Sequence, residues 1–132
     1  MEQKRGIVLT MVLLALTFIL AATPVFAYQS PFKYCFLPED KWSVQTGTVY
    51  GTYKLFDGVN YSMSLQKVRF QAYYSTGYGW IEDKYEVRVP NTHLGTTSTT
   101  KFSTERLWYL RVRNDTIIAK GGVARGNIWY DN

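Results

Sequence analysis

Tyr109, Arg111 and Arg113 stand two residues apart in a run whose other positions are Trp108, Leu110 and Val112. In an extended chain this spacing sends the three polar side chains to one face and the three apolar ones to the other. Guanidinium forks take carboxylate, sulfate or phosphate oxygens two at a time, and aromatic planes stack on sugar rings and cations. Lys67 and Arg69 alternate in the same way with Val68 and Phe70, and Lys120 follows Ala119. Together Lys67, Arg69, Tyr109, Arg111, Arg113 and Lys120 form a candidate surface for an anionic polymer or glycan, provided their strands are neighbours. The bland alternative is a scatter of cations that only keeps a basic protein soluble.

Catalysis finds little material. A zinc site draws its three or four ligands from Cys, His and carboxylates, and the chain has one cysteine, Cys35, and one histidine, His93. Cys35 lies between Tyr34 and Phe36 and reads as a small buried hydrophobe; His93 reads as an exposed loop residue. Asp83 is the one acid on the alternation Ile81, Tyr85, Val87, Val89, and with Glu105 it is the candidate for a carboxylate pair. A strand-end position leaning into solvent is the simpler reading for Asp83. The chain has no phosphate-binding loop, nucleophile elbow or dinucleotide fingerprint. The expectation is a non-enzymatic protein with no cofactor and no metal.

The elements that must carry the cationic surface read as strands. Val44 to Phe56 is one strong run, and Asp57-Gly58-Val59-Asn60 reads as a hairpin turn closing it onto Tyr61 to Tyr74. Either a two-residue or a four-residue loop there pairs even positions with odd ones, so that Tyr50 and Phe56 meet Tyr61, Met63 and Leu65 inside. Beyond Gln66 the apolar phase inverts to Val68, Phe70, Ala72 and Tyr74. A one-residue slip exchanges the faces, so a bulge near Gln66-Lys67 or a bend from one sheet to another is expected there. Ser75 to Gly79 is a turn and Trp80 to Val89 a strand whose Glu82, Lys84, Glu86 and Arg88 form a wet face. Thr92 to Thr100 reads as a polar loop or weak edge strand, and Lys101 to Arg113 as a strand. Asn114-Asp115 reads as a hairpin turn that pairs Val112 with Ile117 and Tyr109 with Lys120. Ala124 to Tyr130 is the last strand, and Phe32 to Phe36 an N-terminal edge strand. No helical period runs over ten residues after the N-terminal segment. The fold class is all-β: a small antiparallel β-sandwich of six to eight strands, with a small β-barrel as the alternative.

Ahead of this domain, Lys4 and Arg5 precede an uncharged apolar run from Gly6 to Ala22, and Val25-Phe26-Ala27 suits a cleavage site. Residues 1–27 read as a secretory signal peptide and 28–132 as one β-sandwich domain; an uncleaved membrane anchor is the less favoured reading. The formal charge is +5, and a lone cysteine forms no internal disulfide, so the exported domain relies on packing. Asn60-Tyr61-Ser62 and Asn114-Asp115-Thr116 match the glycosylation acceptor pattern, although the short, disulfide-free product looks bacterial. The expected function is that of a secreted module binding an extracellular or cell-envelope polymer or protein. The alternative is a secreted antibacterial, bacteriocin-like or membrane-acting protein. Nucleic acid is disfavoured as a partner, and a membrane surface stays open.

Overall fold

Nine strands are present in the computed structural model, which describes residues 32–129. The segment read as a signal peptide, its cleavage point after Ala27, and Tyr130 lie outside those residues. In chain order the strands are β1 (Lys33–Leu37), β2 (Ser43–Gln45), β3 (Val49–Gly51), β4 (Leu55–Asn60), β5 (Val68–Thr76), β6 (Gly79–Arg88), β7 (Thr92–Ser98), β8 (Arg106–Asn114) and β9 (Ala124–Trp129). They form two antiparallel sheets. One is four-stranded in the order β1-β9-β4-β7; the other is five-stranded in the order β2-β8-β5-β6, with β3 also pairing with β8. No helix of the described residues is long and apolar enough to cross a membrane.

The β-sandwich follows from the period-two alternation. On β8, Trp108, Leu110 and Val112 are fully buried; on β5, Val68, Phe70 and Ala72 are; on β9, Ala124 and Ile128 are. They meet Leu37, Phe56 and Leu94 in one core. Each large apolar side chain taken from water contributes about 1.5–3 kcal/mol. The Trp108 indole N–H donates to the Gly51 carbonyl at 2.8 Å, so the largest core ring leaves no polar group unpaired.

Several sequence expectations change. Val44 to Phe56 is three pieces rather than one strand. β2 and β3 lie end to end along β8, with Thr46 between them exchanging bonds with Leu110 through its backbone N–H and its hydroxyl. The chain then crosses to the other sheet at residues 52–54. Asp57-Gly58 is no turn: it lies in β4, between β9 and β7. The expected pairing of Tyr50 and Phe56 with Tyr61, Met63 and Leu65 therefore does not form. Phe56 is buried, whereas Tyr50, Met63 and Leu65 are exposed. The phase inversion at Gln66-Lys67 marks the passage of residues 61–67 from the four-stranded to the five-stranded sheet, as a loop rather than a bent strand. The register shifts lie elsewhere, at Phe56/Gly58 between β4 and β7 and at Ala72/Tyr73 between β5 and β6.

The expected Asn114-Asp115 hairpin is also absent. β9 belongs to the other sheet, and Ile117 and Ile118 sit in solvent. The hairpin through Gly77-Tyr78 does form, joining β5 to β6, and Thr92–Ser98 is an edge strand. On β6 the expected faces are mixed by the register shift: Lys84, Glu86 and Arg88 lie opposite Ala72, Phe70 and Val68, while Tyr85 and Val87 lie opposite Gln71 and Arg69. As an edge strand it overhangs the core and tolerates charge there. Both glycosylation patterns are structurally closed. Asn60 and Asn114 are fully buried, and their amide nitrogens are engaged by the Gln66 and Arg88 carbonyls and by the Lys41 and Trp42 carbonyls respectively.

Lys54, at the crossing between sheets, has 0% of its surface exposed. Its ammonium donates to the Tyr50 carbonyl at 2.7 Å. Burial lowers its pKa from 10.5 to about 8, against an opposing pull from Glu105. The unfolded chain then holds more protons between about pH 8 and 10.5, so this residue's cost is full below pH 8 and fades as pH rises. Cys35 and Tyr109, both raised by burial, act in the opposite sense at alkaline pH. The expected result is that wild type gains about 2 kcal/mol relative to Lys54→Met between pH 7.5 and 10. Urea midpoints of both proteins across that range check it, since the subtraction removes the Cys35 and Tyr109 contributions.

Candidate functional site

The outer face of the five-stranded sheet is built by register. Arg69 lies directly opposite Arg113, Gln71 opposite Arg111 and Tyr73 opposite Tyr109. Side chains opposite one another in an antiparallel pair share a face, so strands far apart in sequence bring three guanidinium groups onto one patch. On the flanks, β2 places Ser43 opposite Arg113 and Gln45 opposite Arg111. On the other side, β6 places Val87, Tyr85 and Glu82 opposite Arg69, Gln71 and Tyr73.

Each guanidinium is held by its neighbours. Arg69 donates to the Asp115 carboxylate at 2.9–3.0 Å and lies 4.4 Å over the Tyr85 ring. Arg113 donates from Nε to the Gln71 amide oxygen at 3.1 Å and from Nη1 to the Asn114 and Asp115 carbonyls. Arg111 donates from Nε to the Ser43 hydroxyl at 2.8 Å and lies 4.8 Å over the Trp42 ring. Gln71 is the hub: although on the outer face it is only 3% exposed, and its amide donates to Glu82 at 2.8 Å. The two acids of the patch are thus engaged by Arg69 and by Gln71. The pKa of Arg113 is lowered, first by burial and then by Arg69 and Arg111, with Asp115 opposing. Like charges directly across a ladder destabilise it. Nη1 and Nη2 of Arg111 and Nη2 of Arg113 have no hydrogen-bond partner among the described residues, and an added anion would use them.

Beside the arginines lies an aromatic group. Tyr73 and Tyr109 stack at 5.0 Å between centroids, and Trp80 meets Tyr109 edge-on at 4.7 Å. The patch therefore grades along β5 and β8 from cations to ring faces.

Of the six residues expected from the sequence, Arg69, Tyr109, Arg111 and Arg113 share this face. Lys67 sits immediately before β5, exposed, its carbonyl accepting from the Asp115 N–H. Lys120 does not pair with Tyr109, because the hairpin that required it is absent; it lies in the 115–123 connection. The sequence reading missed Trp42, Ser43, Gln71, Tyr73, Glu82 and Tyr85. Gln71 and Tyr73 were findable, since they alternate with the buried Phe70 and Ala72. Glu82 and Tyr85 were hidden by the register shift, and Trp42 and Ser43 carry no local signal.

The other chemistry-bearing residues stand apart. Cys35 is buried opposite Gly126 on β1, and burial pushes its thiol up to about 12. His93 is exposed on β7, opposite Val59. Asp83 is the extra residue at the β5–β6 register shift, and its carboxylate accepts from the Thr100 N–H at 2.8 Å. Among the described residues no three of His, Cys, Asp or Glu cluster in a way that could hold a metal ion.

No family model matches the chain, and no curated protein does. Among solved structures it is similar to PirA, with a TM-score of 0.49 and 8% identity over 75% of this chain and 93% of that one. It is also similar to the Yersinia pseudotuberculosis-derived mitogen, with a TM-score of 0.44 and 10% identity over 79% of this chain and 88% of that one.

Proposed function

We propose that the protein is an exported, non-enzymatic β-sandwich that binds an anionic extracellular or cell-envelope polymer through the outer face of its five-stranded sheet. The observation that carries this reading is the juxtaposition of Arg69 and Arg113 across one ladder with Arg111 beside them. Such a cluster is costly for folding alone and becomes favourable when an anion bridges it. The Tyr73, Tyr109 and Trp80 rings beside it suit the sugar units that carry charge in envelope polymers. The apolar N-terminal run with its Val-Phe-Ala end supports export.

Retention on purified cell wall tests the reading. Wild type is expected to be retained and to elute as salt rises. Arg111→Ala combined with Arg113→Ala is expected to weaken retention at least tenfold, about 1.4 kcal/mol or more, with the urea midpoint preserved. Equal, salt-insensitive retention of both proteins would overturn it.

A further inference from the structure

Two of the connections that cross between the sheets, residues 61–67 and 115–123, run side by side at one end of the sandwich. The Leu65 N–H donates to the Gly121 carbonyl, the Tyr61 N–H to Val123, and the Asp115 N–H to Lys67, each at 2.9 Å. Each connection contains a tight turn, closed by the Ser64 N–H on the Tyr61 carbonyl and by the Ala119 N–H on the Thr116 carbonyl. Turn corners ordinarily hold Gly, Asn, Asp, Ser or Pro. Here Met63 takes the second corner of the first turn, and Ile117 and Ile118 take both corners of the second. Met63 and Ile117 are each 67% exposed, Ile118 77% and Leu65 79%.

Ile118 also has φ +58°. That is the left-handed region, where a β-branched side chain is strained and glycine is at ease. The second turn therefore carries two costs at once, backbone strain and water-exposed aliphatic surface, and a glycine or asparagine would remove both. Strain of this kind collects at functional positions.

We propose that this end of the sandwich docks on a lipid bilayer, with Met63, Leu65, Ile117 and Ile118 entering the acyl boundary. Lys67 and Lys120, each at the base of one loop and exposed, meet anionic headgroups. Glu39 and Asp40 lie on the adjoining β1–β2 turn, which the Glu39 carbonyl ties to Gly121; the aliphatic tips rather than net charge therefore carry the docking. A second copy of the chain fits less well. A stable protein interface buries about 800 Å² on each partner, more than four exposed side chains supply. The aliphatic tips and the arginines are different side chains that adjoin at Asp115, so substitutions at the tips and at Arg111 and Arg113 test the two readings one at a time.

The test uses the full chain with Ser62→Cys carrying an environment-sensitive dye, Cys35 being buried. Addition of phosphatidylcholine vesicles containing phosphatidylglycerol is expected to shift the dye emission to the blue and to expose it to a lipid-phase quencher, in high salt as well as low. Ile117→Ser with Ile118→Gly is expected to reduce that partitioning about tenfold while leaving the thermal midpoint equal or higher, because strain is removed. Arg111→Ala with Arg113→Ala is expected to retain the shift in high salt. An unshifted dye with vesicles, unchanged partitioning of the isoleucine variant, or a shift that depends on protein concentration alone would each overturn the proposal, the last in favour of a second copy.

Discussion

Replacing Gly58 with valine is expected to cost more than about 3 kcal/mol, a large share of the roughly 5–15 kcal/mol that keeps a small domain folded. Gly58 on β4 lies directly opposite Gly126 on β9, and the pair makes a flat recess in the inner surface of the four-stranded sheet. Side chains of the other sheet fill it. A Cβ on Gly58 would run into the Phe70 ring and come within 2.7 Å of the Arg125 carbonyl oxygen; one on Gly126 would meet Val112 and approach Leu110 at 2.7 Å. The Phe70 ring is packed in the core and the Arg125 carbonyl is backbone of the neighbouring strand, so relief requires the sheets to separate and β4 to shift against β9. Gly95→Val is the matched control, because nothing lies within 4 Å of a Cβ there and valine suits a strand. Urea denaturation of the three proteins reads the difference. Phe70→Leu is expected to recover part of the loss in Gly58→Ala, and strict additivity of those two changes would argue against the recess.

That same glycine shows why the sequence supported the architecture better than the connectivity. Asp-Gly between alternating runs is a strong local signal for a hairpin, yet here the glycine is demanded by Phe70 arriving from the other sheet. Nothing near residue 58 announces that approach. Features set by short-range alternation were legible: the inward faces of β5, β8 and β9, the turn at Gly77-Tyr78, the edge position of β1, and the shared outward direction of Tyr109, Arg111 and Arg113. The inversion at Gln66-Lys67 was legible as a change of sheet, though its loop form was not. What depends on pairings across long sequence distances was not readable. Ser43 lies far from Arg111 in the chain, and the extra residue at Asp83 reverses the faces of β6 without any mark in its composition. The joining of Arg69 to Arg113 was an inference that only the β5–β8 register could make concrete.

Asn114→Ala is the second large effect expected, and it touches both proposed surfaces. Asn114 closes β8 at the point where the chain leaves the five-stranded sheet, and its side chain is fully buried. The amide nitrogen donates to the Lys41 and Trp42 carbonyls at 3.2 Å, and the amide oxygen accepts from the Gly122 N–H at 2.8 Å. The end of β8 is thereby joined to Gly122 in the following connection and to the distant Lys41-Trp42 segment through one polar group. Alanine would strand the buried Gly122 N–H and weaken the satisfaction of two carbonyls, at about 1–3 kcal/mol for each group left unpaired. A loss of about 3 kcal/mol follows, with the amide protons of residues 115–123 exchanging faster as the connection carrying Ile117, Ile118 and Lys120 comes loose. Arg113, whose Nη1 rests on the Asn114 and Asp115 carbonyls, would lose its fixed direction as well. Asn114→Asp separates the two halves of this argument. It keeps the acceptor for Gly122 but sets a carboxylate against the Lys41 and Trp42 carbonyls, so burial and repulsion would raise its pKa above the unfolded value. Protonation restores a donor, and the deficit of Asn114→Asp relative to wild type is therefore expected to shrink as pH falls through that raised pKa. A deficit that stays constant from neutral to acid pH would mean that the two carbonyls do not depend on this side chain.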